Sequence, residues 1–192
     1  MADLLATAAD LRTLLDETEE TLSNDKAEAV LRTASSAVRM AARQHITAVA
    51  GDTVTLIGNP SVWFDLPQRP ATAVTSVKID GAVVTDYKVF GNRLWRSAGW
   101  EKTCGEPSAI EVVYSHGYNE WDDEIEYASG ITLTLAAKLF GNVIGAAAMS
   151  IDDFRLQFAQ ANVGEIAGTI PENVQKSLRH AYGSRAGLVS IG

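Results

Sequence analysis

The sequence predicts an α+β protein: a helical platform, made of an N-terminal helix pair and long C-terminal helices, into which a small antiparallel β-sandwich or open barrel is inserted. Two observations predict it. Apolar residues recur at helical spacing as far as Arg43, alternate from Asp52, and return to helical spacing after Asp122. Between the alternating runs stand Gly58-Asn59-Pro60, Asp80-Gly81 and Gly91-Asn92, residues that tight turns need. These signals assign residues 1–50 and 119–183 to the platform, 51–118 to the insertion and 184–192 to a separate tail. With 192 residues, 46% hydrophobic and 21% charged, the chain can bury a sizeable core, which excludes disordered, collagenous and coiled-coil classes.

The first helix is short. Leu11, Leu14 and Leu15 share one side of residues 7–16, with Thr7 and Asp10 near the start. A longer helix follows, with Asp25 and Glu28 at capping-box spacing and Val30, Ala34, Ala37, Val38 and Ala41 forming a stripe that ends by Arg43. Because that stripe is mostly alanine, it predicts close approach of another helix, within the subunit or across a subunit boundary.

Alternation then predicts short strands at Thr53 to Ile57, Val62 to Leu66, Ala73 to Ile79, Val83-Val84, Tyr87 to Phe90, Arg93 to Arg96 and Ile110 to Tyr114. Asp80-Gly81 has the composition of a two-residue hairpin turn. Helical spacing resumes in Ile125, Ala128, Thr132, Leu135, Leu139 and Val143, with Asp123 and Glu126 at capping-box spacing. Gly130, Gly141 and Gly145 predict close backbone contacts on this central helix, or its end near Gly141. Phe154, Leu156 and Phe158 alternate in an extended segment near 151–158, far from the other strands, so its expected partner is another chain. Ile170, Val174, Leu178 and Tyr182 mark a last helix, opened by Pro171 and Glu172 and ended by Gly183.

The net charge of −8 argues against nucleic-acid binding, which depends on lysine and arginine. The acid is clustered: residues 103–137 carry Glu106, Glu111, Glu120, Asp122, Asp123, Glu124 and Glu126 without a lysine or arginine. No base precedes Arg12, so no signal peptide is expected, and Thr132, Thr134, Lys138 and Asn142 interrupt the most apolar run, so no membrane span is expected. The lone Cys104 and the scattered His45, His116 and His180 give no zinc spacing. Cys104 and His116 are the one candidate nucleophile pair, yet no third residue is signalled to orient the base. Phosphate-loop, dinucleotide, zinc-protease and hydrolase motifs do not occur. The expectation is a chain that is not an enzyme and takes no cofactor or metal. Trp63, Trp95, Trp100 and Trp121 fit either core and loop anchors or the face of a monomeric β-rich module that binds carbohydrate or peptide.

Four segments in order carry a resemblance. They are Ala34-Ser35-Ser36-Ala37-Val38-Arg39; Leu66-Pro67-Gln68-Arg69-Pro70 running into Val74-Thr75-Ser76-Val77-Lys78-Ile79-Asp80-Gly81; Val112-Val113-Tyr114-Ser115-His116-Gly117-Tyr118; and a helix containing Leu135-Ala136-Ala137. Together they resemble the head-to-tail connector, or adaptor, proteins of tailed bacteriophages over roughly residues 4–145. Where the family often has a proline before the following helix, this chain has Trp121-Asp122-Asp123. The resemblance implies a homo-oligomeric ring, commonly a dodecamer, that docks beneath the portal protein and receives the next head-completion or tail component. It also implies that genomic DNA passes through the ring during ejection without specific binding, that no membrane is involved, and that the protein, made in the host cytoplasm, resides in the virion at the head–tail interface.

Three sets of residues are expected to serve that role. Glu17, Glu19, Glu20, Glu120, Asp122, Asp123 and Glu124 would form an acidic surface facing the channel or a neighbouring subunit, because like charge prevents DNA from binding in transit. Phe154, Leu156 and Phe158 would form an inter-subunit strand. Arg179, Arg185, Leu188, Val189 and Ile191 would dock the C-terminal tail onto the portal, since this short segment cannot bury its own apolar side chains.

Overall fold

A computed structural model describes residues 4–101, 106–145 and 170–183. The extended segment around Phe154, Leu156 and Phe158, the tail residues Arg185, Leu188, Val189 and Ile191, and Cys104 lie outside the described residues. The architecture is α+β, with four helices and two antiparallel sheets among the described residues. The chain forms two compact units, one from the residues up to Gln44 together with those from Glu120 on, the other from His45–Asn119.

In the helical unit, α1 (Ala8–Leu15) is opened by a reciprocal capping box. Asp10 N donates to Thr7 Oγ1 at 3.1 Å and Thr7 N donates to Asp10 Oδ2 at 3.3 Å, so two donors at the helix start are satisfied together. The box expected at Asp25 and Glu28 does not form. Helix α2 (Asn24–Ala42) begins two residues earlier than that box would place it, with Ser23 in the cap position, and Asp25 lies in the first turn, where its charge complements the helix dipole. Ala27, Val30, Leu31, Ala34, Ala37, Val38, Ala41 and Ala42 form its buried face. The close approach that the alanines predict is made inside the unit, where α2 packs against α1, α3 (Asp123–Gly145) and α4 (Glu172–Ala181).

Helix α3 starts at Asp123, so this residue is the first in the helix and not its cap; the Asp122 carbonyl accepts from Ile125 N at 2.8 Å. Ala128, Thr132, Leu135, Ala136 and Phe140 are buried residues of this helix. Gly130 and Gly141 correct the sequence reading. The helix continues to Gly145, and a Cβ built on either glycine meets nothing within 4 Å. Among the described residues neither marks a close contact, so replacing Gly130 with alanine is expected to raise stability by about 1 kcal/mol, the difference in helix propensity, in a urea titration. In α4, Leu178 and Tyr182 are buried, the Tyr182 hydroxyl donates to the Glu124 carbonyl, and Gly183 N donates to Arg179 O at 2.9 Å as the helix ends.

Among the described residues the β unit has seven strands: β1 (Val49–Ile57), β2 (Trp63–Asp65), β3 (Ala71–Ile79), β4 (Ala82–Val84), β5 (Lys88–Phe90), β6 (Arg93–Trp95) and β7 (Ala109–His116). They form a four-stranded sheet in the order β1-β7-β3-β4 and a three-stranded sheet in the order β2-β6-β5. The Asp80-Gly81 hairpin forms as expected: Ile79 pairs with Ala82, and the turn residues take φ of 48° and 79°. Strand β7 lies at the centre of the larger sheet, between β1 and β3, although its sequence position makes it the last of the set. Inner residues of both sheets share one core of Phe64, Leu66, Val77, Ile79, Leu94, Trp100, Ile110, Val112 and Tyr114. The β unit begins at His45 because residues 46–47 are tied to its far end: Tyr118 N donates to Ile46 O at 2.8 Å, and Thr47 bridges to Tyr118.

Candidate functional site

Two of the segments that carry the resemblance, 66–70 and 112–118, meet at one end of the larger sheet. Gln68 N donates to the Tyr114 hydroxyl at 3.1 Å, and Gly117 N donates to Pro70 O at 3.0 Å. The Gln68 side chain reaches further, its Oε1 accepting from His45 N at 2.8 Å. His116 is 3% exposed, and its Nε2 lies 3.0 Å from Asp52 Oδ2 on β1. Its ring is edge-on to His45, with centroids 6.3 Å apart, and tilted against Tyr114 at 5.1 Å. His116 Nδ1, the other ring nitrogen, is buried without a hydrogen-bond partner among the described residues. This cluster ties together the two ends of the β unit.

Burial pushes the Tyr114 phenol above its ordinary range, opposed by the Gln68 hydrogen bond and assisted by the nearby Asp52 charge. A raised pKa in the folded state means that Tyr114 favours folding fully below the unfolded value near 10 and loses that contribution as pH rises through the folded value. Tyr114→Phe is expected to cost about 1 to 3 kcal/mol by stranding the Gln68 N–H, and to flatten the alkaline limb of a stability–pH profile. Urea titrations at a series of alkaline pH values check both.

The acidic residues fall into two groups within the helical unit. Glu17, Glu19 and Glu20 occupy the turn between α1 and α2, Glu19 and Glu20 being exposed and Glu17 half-buried. Glu120 is exposed, Asp122 is half-buried, and Asp123 and Glu124 project from the first turn of α3. Trp121, among them, is 87% exposed. Arg179, on α4, has an internal task as well as an exposed surface: its Nε donates to the Ala41 carbonyl at 3.3 Å, near the end of α2.

The tryptophans have different surroundings. Trp100 is fully buried in the β core, tilted against Phe64 at 5.3 Å. Trp63 and Trp95 are half-buried and paired across β2 and β6 on the outer face of the three-stranded sheet. There the Arg93 guanidinium stands 5.0 Å from the Trp63 ring centre and Lys88 Nζ stands 5.9 Å from that of Trp95. That these bases stand over the tryptophan rings follows from the register of β2, β6 and β5, which the order of residues alone does not show. Asp52 and Gln68 were not anticipated as partners of His116 and His45, since each bond spans a long stretch of chain.

His116, one half of the candidate nucleophile pair, is engaged by Asp52 inside the fold. Among the described residues, no group of three or more His, Cys, Asp or Glu side chains could hold a metal, and no helix is long and apolar enough to cross a membrane. Fold and surfaces together define an α+β chain with an inserted two-sheet unit, whose most distinctive residues act as structural ties and as exposed faces. No protein-family model and no curated protein sequence matches it.

Proposed function

We propose that the chain is a virion structural protein, a head-to-tail connector subunit of a tailed bacteriophage. It forms a homo-oligomeric ring beneath the portal, extends the channel for genome passage and presents the attachment site for the next tail-side component. The observation that carries this reading is the meeting of segments 66–70 and 112–118: residues that resemble the family only in order along the chain are joined through Gln68 to Tyr114 and Pro70 to Gly117. The small-residue face of α2, which contains another of the segments, forms the core of the helical unit. The acidic turns at 17–20 and 120–124 suit surfaces that face either a channel past which DNA must slide without being held or a neighbouring subunit. In this reading the chain needs no cofactor and catalyses nothing, and residues 184–192, with Arg179, dock on the portal.

A second reading has a specific observation in its favour. Trp63 and Trp95 with Phe90, on an outer sheet face, would suit a monomeric module that binds carbohydrate or peptide. Light scattering and negative-stain microscopy of the purified protein, alone and mixed with portal, separate the two. Rings are expected; a 20.5 kDa monomer that stays monomeric in the presence of portal would overturn the connector reading.

A further inference from the structure

The outer face of the three-stranded sheet is organised as an aromatic and cationic surface on an acidic protein. Strand alternation turns Phe64 and Leu94 into the core and leaves Trp63, Trp95, Phe90, Arg93 and Lys88 on the opposite side. Phe90 is 52% exposed and meets Trp63 edge-to-face at 5.5 Å. Asp65, on the same face, lies 2.9 Å from Arg93 and 3.9 Å from the largely buried Arg69, and Lys88 adds a further exposed base to the face of a chain that carries −8 overall. Cations over indoles leave less open ring for a sugar to stack upon, and they favour an acidic partner that brings its own apolar anchor.

The chain carries such a partner. Residues 120–124, Glu-Trp-Asp-Asp-Glu, present four carboxylates around an indole that is 87% exposed. We infer that the acidic turn around Trp121 of one copy docks on the Trp63, Phe90 and Lys88 face of the next copy, an inference that rests on the ring reading above. The two surfaces differ, so the contact is heterologous, and a heterologous contact that closes on itself makes a ring. Trp121 supplies the buried aromatic anchor, while Lys88 and Arg93 against Asp123 and Glu124 set the register and steer the approach.

The test measures self-association by sedimentation and light scattering for the wild type and for two variants at exposed positions, Trp121→Ala and Lys88→Glu, with circular dichroism to verify folding. Each variant is expected to weaken association about tenfold or more, and adding Asp123→Lys and Glu124→Lys to Lys88→Glu is expected to restore it. Rings that survive both single substitutions, or a charge swap that restores nothing, would overturn this contact and leave the ring reading standing. A wild-type protein that remains monomeric, alone and with portal, would overturn both. Protection of the face by an added oligosaccharide in that monomer would assign it to the other occupant. A cysteine pair at positions 88 and 123 in a Cys104→Ser background gives an independent readout: oxidation should yield a ladder of linked chains, and a cross-link confined to single chains would count against the proposal.

Discussion

Gly117→Ala is expected to destabilise the β unit by about 3 kcal/mol or more, through strain added to lost hydrogen bonds. Gly117 has φ of 91°, a conformation that side-chain-bearing residues rarely adopt. An added Cβ would also stand 2.2 Å from the Thr47 carbonyl oxygen, 2.6 Å from its carbon and 3.0 Å from Ala48 Cα. All three are backbone atoms, so no side chain can swing aside to make room. Relief requires the 46–48 and 116–118 segments to part, which breaks the Tyr118 N to Ile46 O bond and loosens the Gly117 N to Pro70 O bond. Gly51→Ala is the control. Its φ is 64° and its Cβ would meet nothing within 4 Å, so only the backbone term of about 1 kcal/mol remains. Urea unfolding followed by tryptophan emission compares the two; equal losses would mean that the close approach of Thr47 to Gly117 carries none of the effect.

That contrast also marks what a linear sequence conveys. Asp80-Gly81 and the Thr7 and Asp10 pair were legible because their bonds close within a few residues, where composition alone selects the geometry. The alternation of residues 110–114 identified a strand but not its place, since period two tells which face is buried and says nothing of which strands lie on either side. Its neighbours β1 and β3 are set by the shared core. Helix starts were misjudged in the same direction at Asp25 and Asp123: an acid in the first turn and an acid at the cap both satisfy the helix start, and spacing to the next glutamate does not distinguish them. Gly130 and Gly141 looked like contact points because a helix that tolerates glycine needs a reason, and among the described residues no contact supplies one. For the candidate surfaces, the acidic turns could be read as clusters, but the register that sets Trp63 opposite Trp95 and Lys88 beside it exists only once β2, β6 and β5 have paired.

Trp100→Ala is expected to cost about 3 to 5 kcal/mol, as for other large aromatic deletions from a packed core. Its side chain is fully buried, lies against Phe64 with ring centres 5.3 Å apart, and donates Nε1–H to the Val62 carbonyl at 3.3 Å. The backbone around it is equally committed: Trp100 N donates to Asn59 O at 3.0 Å, and its carbonyl oxygen is 2.0 Å from where a Gly58 Cβ would stand. Collapse into the vacated space is therefore limited on the Gly58 side, and a cavity that cannot collapse retains its full cost. Trp100→Phe separates the contributions, since it keeps most of the apolar contact with Phe64 and gives up the indole hydrogen bond, worth about 1 kcal/mol. With association weakened by Trp121→Ala, Trp63→Ala should cost less than Trp100→Ala in the same urea titration, because Trp63 is then only half-buried and stands on the outer face of its sheet. The order Trp100→Ala, then Trp100→Phe, in the size of the loss would assign Trp100 to the core of the β unit. A larger cost of Trp63→Ala in the associating wild-type background would mean that the outer face of the small sheet is covered in solution, the outcome that contact between copies at this face produces.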